Sequence, residues 1–189
     1  MSEEIQVRRL IDRLEETEPE KPRPASKEIE VRRARRGDVP AIAALVQKAT
    51  RSKVQVDEAE VMDWLFGKGL LVAAEGDSLV GVAAWQAENL LSATDVFYVR
   101  PARLLAKAGG GLLAAIEAEA NVLMCEANVL LLPAGTSNAA RTFLQQQGYE
   151  PRKFEELHRI WREVLSELAT GEQELMVKRL RERMVMAPI

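Results

Sequence analysis

Two groups of residues carry chemistry by type and spacing. Asp95 and Tyr98 sit on one segment rich in Thr, Val, Phe and Tyr, and Glu88 lies just before it. A phenol can supply a proton and a carboxylate can take one, directly or through a water. The second group is Arg100, Arg103 and Lys107, followed by the run Gly109-Gly110-Gly111. A helix start leaves backbone N–H groups unpaired, and the helix dipole adds positive potential there. Glycine lets that backbone approach an anion closely, and the three cations can pair with phosphate oxygens directly. The pattern can hold an anion; equally, the three cations read as solvated loop charges. The run lacks Gly-x-Gly-x-x-Gly spacing and an acidic residue on a following strand, so it is not a dinucleotide fingerprint.

The other reactive side chains point to structure. His158 sits beside the apolar stripe of a helix, and Cys125 lies near a helix end among apolar neighbours. A buried thiol with no base beside it is inert. With one histidine and one cysteine in 189 residues, a His/Cys zinc site and an intrachain disulfide are both excluded. Arg32, Arg33, Arg35 and Arg36 flank a strand and read as solvated surface.

The elements that must position these groups follow from periodicity. Glu3 to Glu16 reads as a short amphipathic helix, with Val7, Leu10, Ile11 and Leu14 on one stripe. Residues 17–28 carry Pro19, Pro22 and Pro24 and read as a linker. Ile29 to Ala34 suits a strand. Asp38 is placed to cap a helix with Pro40 in its first turn, and Asp57 opens a second. Leu70 to Ala74 and Leu79 to Trp85 read as a hairpin, and Ser92 to Val99 as the next strand. Arg100 to Ala108 reads as a loop, and Gly109 to Asn121 as a long helix. Val129 to Leu132 is a short, wholly apolar strand, the mark of a position covered on both faces. Ser137 caps a helix that Gly148 stops. Tyr149 starts another strand, a helical stripe runs from Phe154 to Leu168, and Glu174 to Leu180 reads as a final strand. Strands before and between helices give an α/β fold with a mixed sheet covered on both faces.

Hydrophobic residues make up 47% of the chain and charged residues 29%, an ordinary soluble composition. The formal net charge of -3 gives no reason to expect nucleic acid or an anionic membrane as partner. No run is long and apolar enough to span a bilayer, and the charged first residues do not read as a secretory signal. The expected location is the cytoplasm.

Three stretches resemble the GNAT superfamily of N-acetyltransferases. They are Ile29 to Val46; Val96-Phe-Tyr-Val-Arg-Pro101 with Gly109-Gly-Gly-Leu-Leu-Ala-Ala-Ile-Glu117; and Ser137-Asn-Ala-Ala-Arg-Thr-Phe-Leu-Gln-Gln-Gln-Gly-Tyr-Glu-Pro151. The resemblance covers residues 29–152, with residues 153–189 completing the same domain. It implies a GNAT-like mixed central sheet, acetyl-CoA or another acyl-CoA as cofactor, and acyl transfer to an amine by direct attack. The acceptor would be a small molecule or a peptide amine. The family's Gln/Arg-x-x-Gly-x-Gly/Ala loop falls on Leu104, Lys107 and Gly109, so two of its three signature positions are changed. The family's usual fourth-helix tyrosine falls on Leu144. The resemblance then assigns the cofactor to Phe97, Tyr98, Val99, Arg103, Leu104, Lys107, Ala108, Gly109, Gly110, Gly111 and Asn138. Tyr98 stands in as acid, with Asp95 or Glu88 as base. The changed positions also admit a second reading, a catalytically degenerate module for ligand binding, regulation or assembly. The terminal amphipathic helices are candidate homodimer surfaces.

Overall fold

In the computed structural model, the described residues are 28–168 and 173–182. The expected helix at 3–16 and nearly all of the linker lie outside them.

The first strand, β1 (Ile29–Arg33), leads through a 3-10 turn at Arg36–Asp38 into α1 (Val39–Thr50). Asp38 does not cap α1 as expected. Its carboxylate accepts from the two terminal Arg32 guanidinium nitrogens at 2.7 and 2.9 Å and from the Arg35 amide at 2.7 Å. Helix α1 instead carries Pro40 in its first turn, where a missing N–H costs nothing. It buries Val39, Ile42, Ala43, Leu45 and Val46, the apolar stripe legible in its sequence. Helix α2 (Glu58–Gly67) is capped by Asp57, whose side chain accepts from the Glu60 amide at 2.8 Å.

The chain then builds β2 (Gly69–Glu75), β3 (Ser78–Glu88) and β4 (Leu91–Val99) as an antiparallel meander. Gly69 is required by close approach: a Cβ there would lie 2.5 Å from Trp85 Nε1 on β3, its register partner. Asn89 and Leu90, both with positive φ, close the β3–β4 hairpin in the sense that matches strand twist.

The stretch expected as a loop, Arg100 to Ala108, is wound. A 3-10 turn at Ala102–Leu104 runs into a π-helical turn at Leu105–Gly109, which continues as α3 (Gly110–Val122). Strand β5 (Ala127–Pro133) follows, buried through Leu132. Ser137 caps α4 (Asn138–Gln146), accepting from the Ala140 amide at 3.3 Å, and Gly148 leaves the helix at φ +87. Strand β6 (Glu150–Arg152) is short. The stripe expected as one helix from Phe154 is split into a 3-10 turn at Phe154–Glu156 and α5 (Arg159–Leu168). Strand β7 (Gln173–Arg179) returns between β5 and β6.

The sheet order is β1-β2-β3-β4-β5-β7-β6, and every pairing is antiparallel except β4 with β5. Apolar clusters under α1 and α2, and under α5, cover one face. Clusters under α3 and α4 cover the other. Among the described residues, no helix is long and apolar enough to cross a membrane.

Candidate functional site

The parallel pair at the sheet centre is incomplete. Strands β4 and β5 are in register only from Leu91 with Ala127 to Thr94 with Leu130. Beyond Thr94, residues 96–99 keep their β3 partners but, among the described residues, have no strand on the β5 side, and residues 131–133 pair only with β7. A bulge starts the divergence. Trp85 faces Thr94 and Ala84 faces Val96, so Asp95 is the extra residue on β4. A bulge bends its strand and re-aims the side chains that follow. Here it opens a fork between two central strands and leaves a row of backbone groups on the β4 edge.

The fork has an apolar floor on the α3–α4 side. Leu113, Leu130, Leu132, Phe143 and Leu144 are buried there, with Phe97 and Leu105 packed against them. Leu144, the position where the family's acid is expected, is therefore core and holds no proton to give. The wound segment at 102–109 lies at the mouth. Leu104 is buried in the cluster under α3, and Ala108 and Gly109 are also buried. Arg103 and Lys107 are exposed. The winding spends amides that a loop would leave open: Leu104 donates to Pro101, Leu105 to Ala102, and Gly110 to Ala106 and Lys107.

The glycines of the run have separate reasons. A Cβ on Gly109 would lie 3.1 Å from both Leu105 Cδ1 and Phe143 Cζ, and one on Gly111 would lie 2.9 Å from Val31 Cγ2 on β1. Only Gly110 is roomy, with Gln147 Oε1 at 3.8 Å as its nearest contact. Two of the three are thus needed for packing helix against helix and helix against strand.

On the other face of β4, Tyr98 packs with Met62, Trp64 and Leu65 against the cluster under α1 and α2. Burial pushes its hydroxyl above the ordinary tyrosine range, and the charges of Glu60 and Asp95 push the same way. Asp95 forms an ion pair with Lys68, the residue that ends α2, and both are about four-fifths buried (18% and 19% exposed). The other carboxylate oxygen, Oδ1, is buried and has no hydrogen-bond partner among the described residues. Asp95, Tyr98 and Lys68 thus form one cluster beside the fork. Lys68 was not singled out in the sequence, where a lysine at a helix end looks like an ordinary cap.

Other candidates lie apart. Glu88 ends β3 at the hairpin, paired with Leu91 at the opposite end of β4 from the fork. Arg100 is engaged elsewhere, its guanidinium donating to the Lys48 carbonyl at the end of α1 at 2.6 Å. Asn138 is exposed at the start of α4, and its side-chain oxygen accepts from Arg141 at 2.9 Å. Arg141 in turn holds Glu174 on β7. Cys125 is buried, which raises its thiol above the usual range, and Arg33 pairs with Glu119 on α3. His158 precedes α5, accepts at its carbonyl from the Arg162 amide, and lines a groove with Arg152, Trp161 and Lys178.

A buried polar chain passes directly beneath the fork and was invisible in the sequence. It links Thr94, Asn128, Tyr149, Glu117 and Lys178. Burial drives the Tyr149 hydroxyl far above the ordinary tyrosine range, with the Glu117 charge adding, so it keeps its proton and donates to Glu117.

A mixed sheet that forks between its central parallel strands, with a helix starting at the fork's mouth, defines a class of fold. No protein-family model matches the sequence, and no curated protein matches it. Solved structures do match the fold. The acetyltransferase of GNAT family from Staphylococcus aureus superposes with a TM-score of 0.63 at 15% identity, over 81% of this chain and 99% of that one. The PaiA N-acetyltransferase of Thermoplasma acidophilum, solved with coenzyme A, gives 0.62 at 12%, over 80% and 99%. N-acetylglutamate synthase of Neisseria gonorrhoeae, complexed with coenzyme A and N-acetyl-glutamate, gives 0.60 at 20%, over 82% of this chain but 35% of that one. The chain has the GNAT fold.

Proposed function

We propose that this chain moves an acetyl or related acyl group from acyl-CoA to an amine by direct attack. The observation that carries the reading is the fork. The open β4 edge at 95–99 offers backbone donors and acceptors in a row, which an amide-bearing pantetheine arm can match as a missing strand would. The floor of Leu130, Leu132 and Phe143 suits the arm's methylenes. Coenzyme A is present in several solved structures of this fold, including those from T. acidophilum and N. gonorrhoeae.

The diphosphate end differs from a glycine loop. Its amides are partly spent on the wound turns, and Leu104 faces the core. In this reading the exposed side chains of Arg103 and Lys107 take up the phosphate charge, assisted by the positive end of α3. Phe97, Tyr98 and Val99 flank the arm from β4.

Asp95 accepts the proton of the attacking ammonium, through a water where the acceptor is short. Its Oδ1 is the oxygen outside the pair with Lys68; it is buried, so the acceptor or a water must reach it from the α1–α2 side. The freed amine forms the new C–N bond as the C–S bond breaks. Tyr98, held protonated by burial, supplies the proton that the thiolate takes, and the second proton that the acylated nitrogen sheds as it becomes the amide restores the Tyr98 hydroxyl. The acceptor enters over α1 and α2.

A thermal-shift titration with acetyl-CoA tests the binding half. A ligand at a hundred times its Kd adds ~2.7 kcal/mol to a folded state that alone binds it. For a chain of this size that is roughly a 5–10 °C rise in Tm. No rise at millimolar acetyl-CoA removes the reading. Release of free thiol across a panel of amines tests transfer, and a rise in Tm without turnover on any amine would leave binding alone.

A further inference from the structure

We propose that Tyr149 is a positioning residue that sets the geometry of the fork, an inference that rests on the acyl-CoA reading above. Its hydroxyl is the centre of a chain that joins β4, β5, α3 and β7. Thr94 Oγ1 on β4 donates to Asn128 Oδ1 on β5 at 3.4 Å. Asn128 Nδ2 donates to Tyr149 Oη at 2.8 Å. Tyr149 Oη donates to Glu117 Oε1 on α3 at 2.9 Å, and Lys178 Nζ on β7 donates to Glu117 Oε2 at 2.7 Å. The Lys178 ammonium also lies 5.6 Å from the centre of the Tyr149 ring.

The location gives the chain its meaning. Thr94 is the last β4 residue in register with β5, so the linkage is anchored where the strands part. Thr94, Asn128 and Tyr149 are at most 1% exposed, so each lost hydrogen bond leaves a buried polar group unpaired. Glu117 lies on the helix whose first turn forms the mouth. A helix rises about 1.5 Å per residue, which puts Glu117 roughly 10 Å along α3 from Gly110. Holding Glu117 fixes the slide and rotation of that rigid helix relative to both arms of the fork. A core phenylalanine would fill the same volume without fixing either.

The test uses the full chain and the variant Tyr149→Phe, which keeps the ring and removes only the hydroxyl. Hydrogen exchange of the ligand-free protein is the first readout. Exchange in residues 95–99, 104–110 and 131–133 should speed about tenfold while 29–33 and 69–75 stay unchanged. Calorimetric titration with acetyl-CoA is the second, and Kd should rise about tenfold. Unchanged exchange at the fork, or a uniform increase across the sheet, overturns the inference, because a purely structural residue gives one or the other. Should Tyr149→Phe fail to fold, Thr94→Val cuts the chain at its longest bond and must show the same localised pattern in smaller degree. Localised exchange in the variant, combined with no acetyl-CoA binding by the parent chain, would sink the acyl-CoA reading and leave the positioning role standing.

Discussion

Alanine at each glycine of the 109–111 run should give three different results, and the order tests whether packing explains the run. All three backbones are helical, so alanine is conformationally compatible, and it gains about 1 kcal/mol of helix propensity over glycine. At Gly110 nothing lies closer than 3.8 Å to the new Cβ, so the gain survives and Tm should rise ~2–4 °C. At Gly111 the Cβ would stand 2.9 Å from Val31 Cγ2, a short, β-branched side chain on a strand that cannot swing away. Overpacking of this kind costs about 1–3 kcal/mol, so Gly111→Ala should range from neutral to ~2 kcal/mol less stable. Gly109→Ala falls between, since Phe143 Cζ and Leu105 Cδ1 at 3.1 Å can each yield a few tenths of an ångström. Urea unfolding of the four proteins, with slopes compared, provides the assay. A Gly111→Ala protein as stable as Gly110→Ala would refute the packing explanation.

Three further outcomes follow from the geometry. Asp95→Asn should lower turnover by roughly 10²–10⁴-fold while the calorimetric Kd for acetyl-CoA stays nearly unchanged, because the reading gives the carboxylate no contact with the cofactor. Asp38→Asn should cost about 1 kcal/mol at neutral pH, read by urea unfolding. The Arg32 guanidinium holds the Asp38 carboxyl below the usual range in the folded state, so this stability is present above the unfolded pKa and is lost on acidification. The difference between parent and variant should therefore shrink as pH drops below about 4. Gly69→Ala drives a methyl onto Trp85 Nε1 and should cost about 3 kcal/mol, or abolish folding, in the same assay.

Much of the fold was legible because it is written in local pattern. Asp57 and Ser137 cap their helices as their types require, and the apolar run at 129–132 is indeed a buried central strand. Asp38 misled because its carboxylate had a stronger suitor in Arg32 than in the helix amides. The segment after Pro101, Ala-Arg-Leu-Leu-Ala-Lys-Ala, is made of strong helix formers and winds into turns, although the family pattern read it as a loop. The stripe at 154–168 kept helical spacing through a break at Leu157, which lies outside the helical turns on both sides but is still buried. The site was less legible. The bulge at Asp95 leaves no mark in composition, so neither the end of the parallel ladder nor the pair with Lys68 could be read. Tyr149 lies 21 residues from Asn128 and 32 from Glu117, and only the tertiary fold brings the three together.

A crystal structure of the full chain grown with coenzyme A tests the central claim most directly. The pantetheine arm should lie between residues 95–99 and 131–133, bonded to the β4 backbone, with the diphosphate against Arg103, Lys107 and the start of α3. Density for the ligand outside the fork, or a fork closed by strand pairing beyond Thr94 and Leu130, would contradict it.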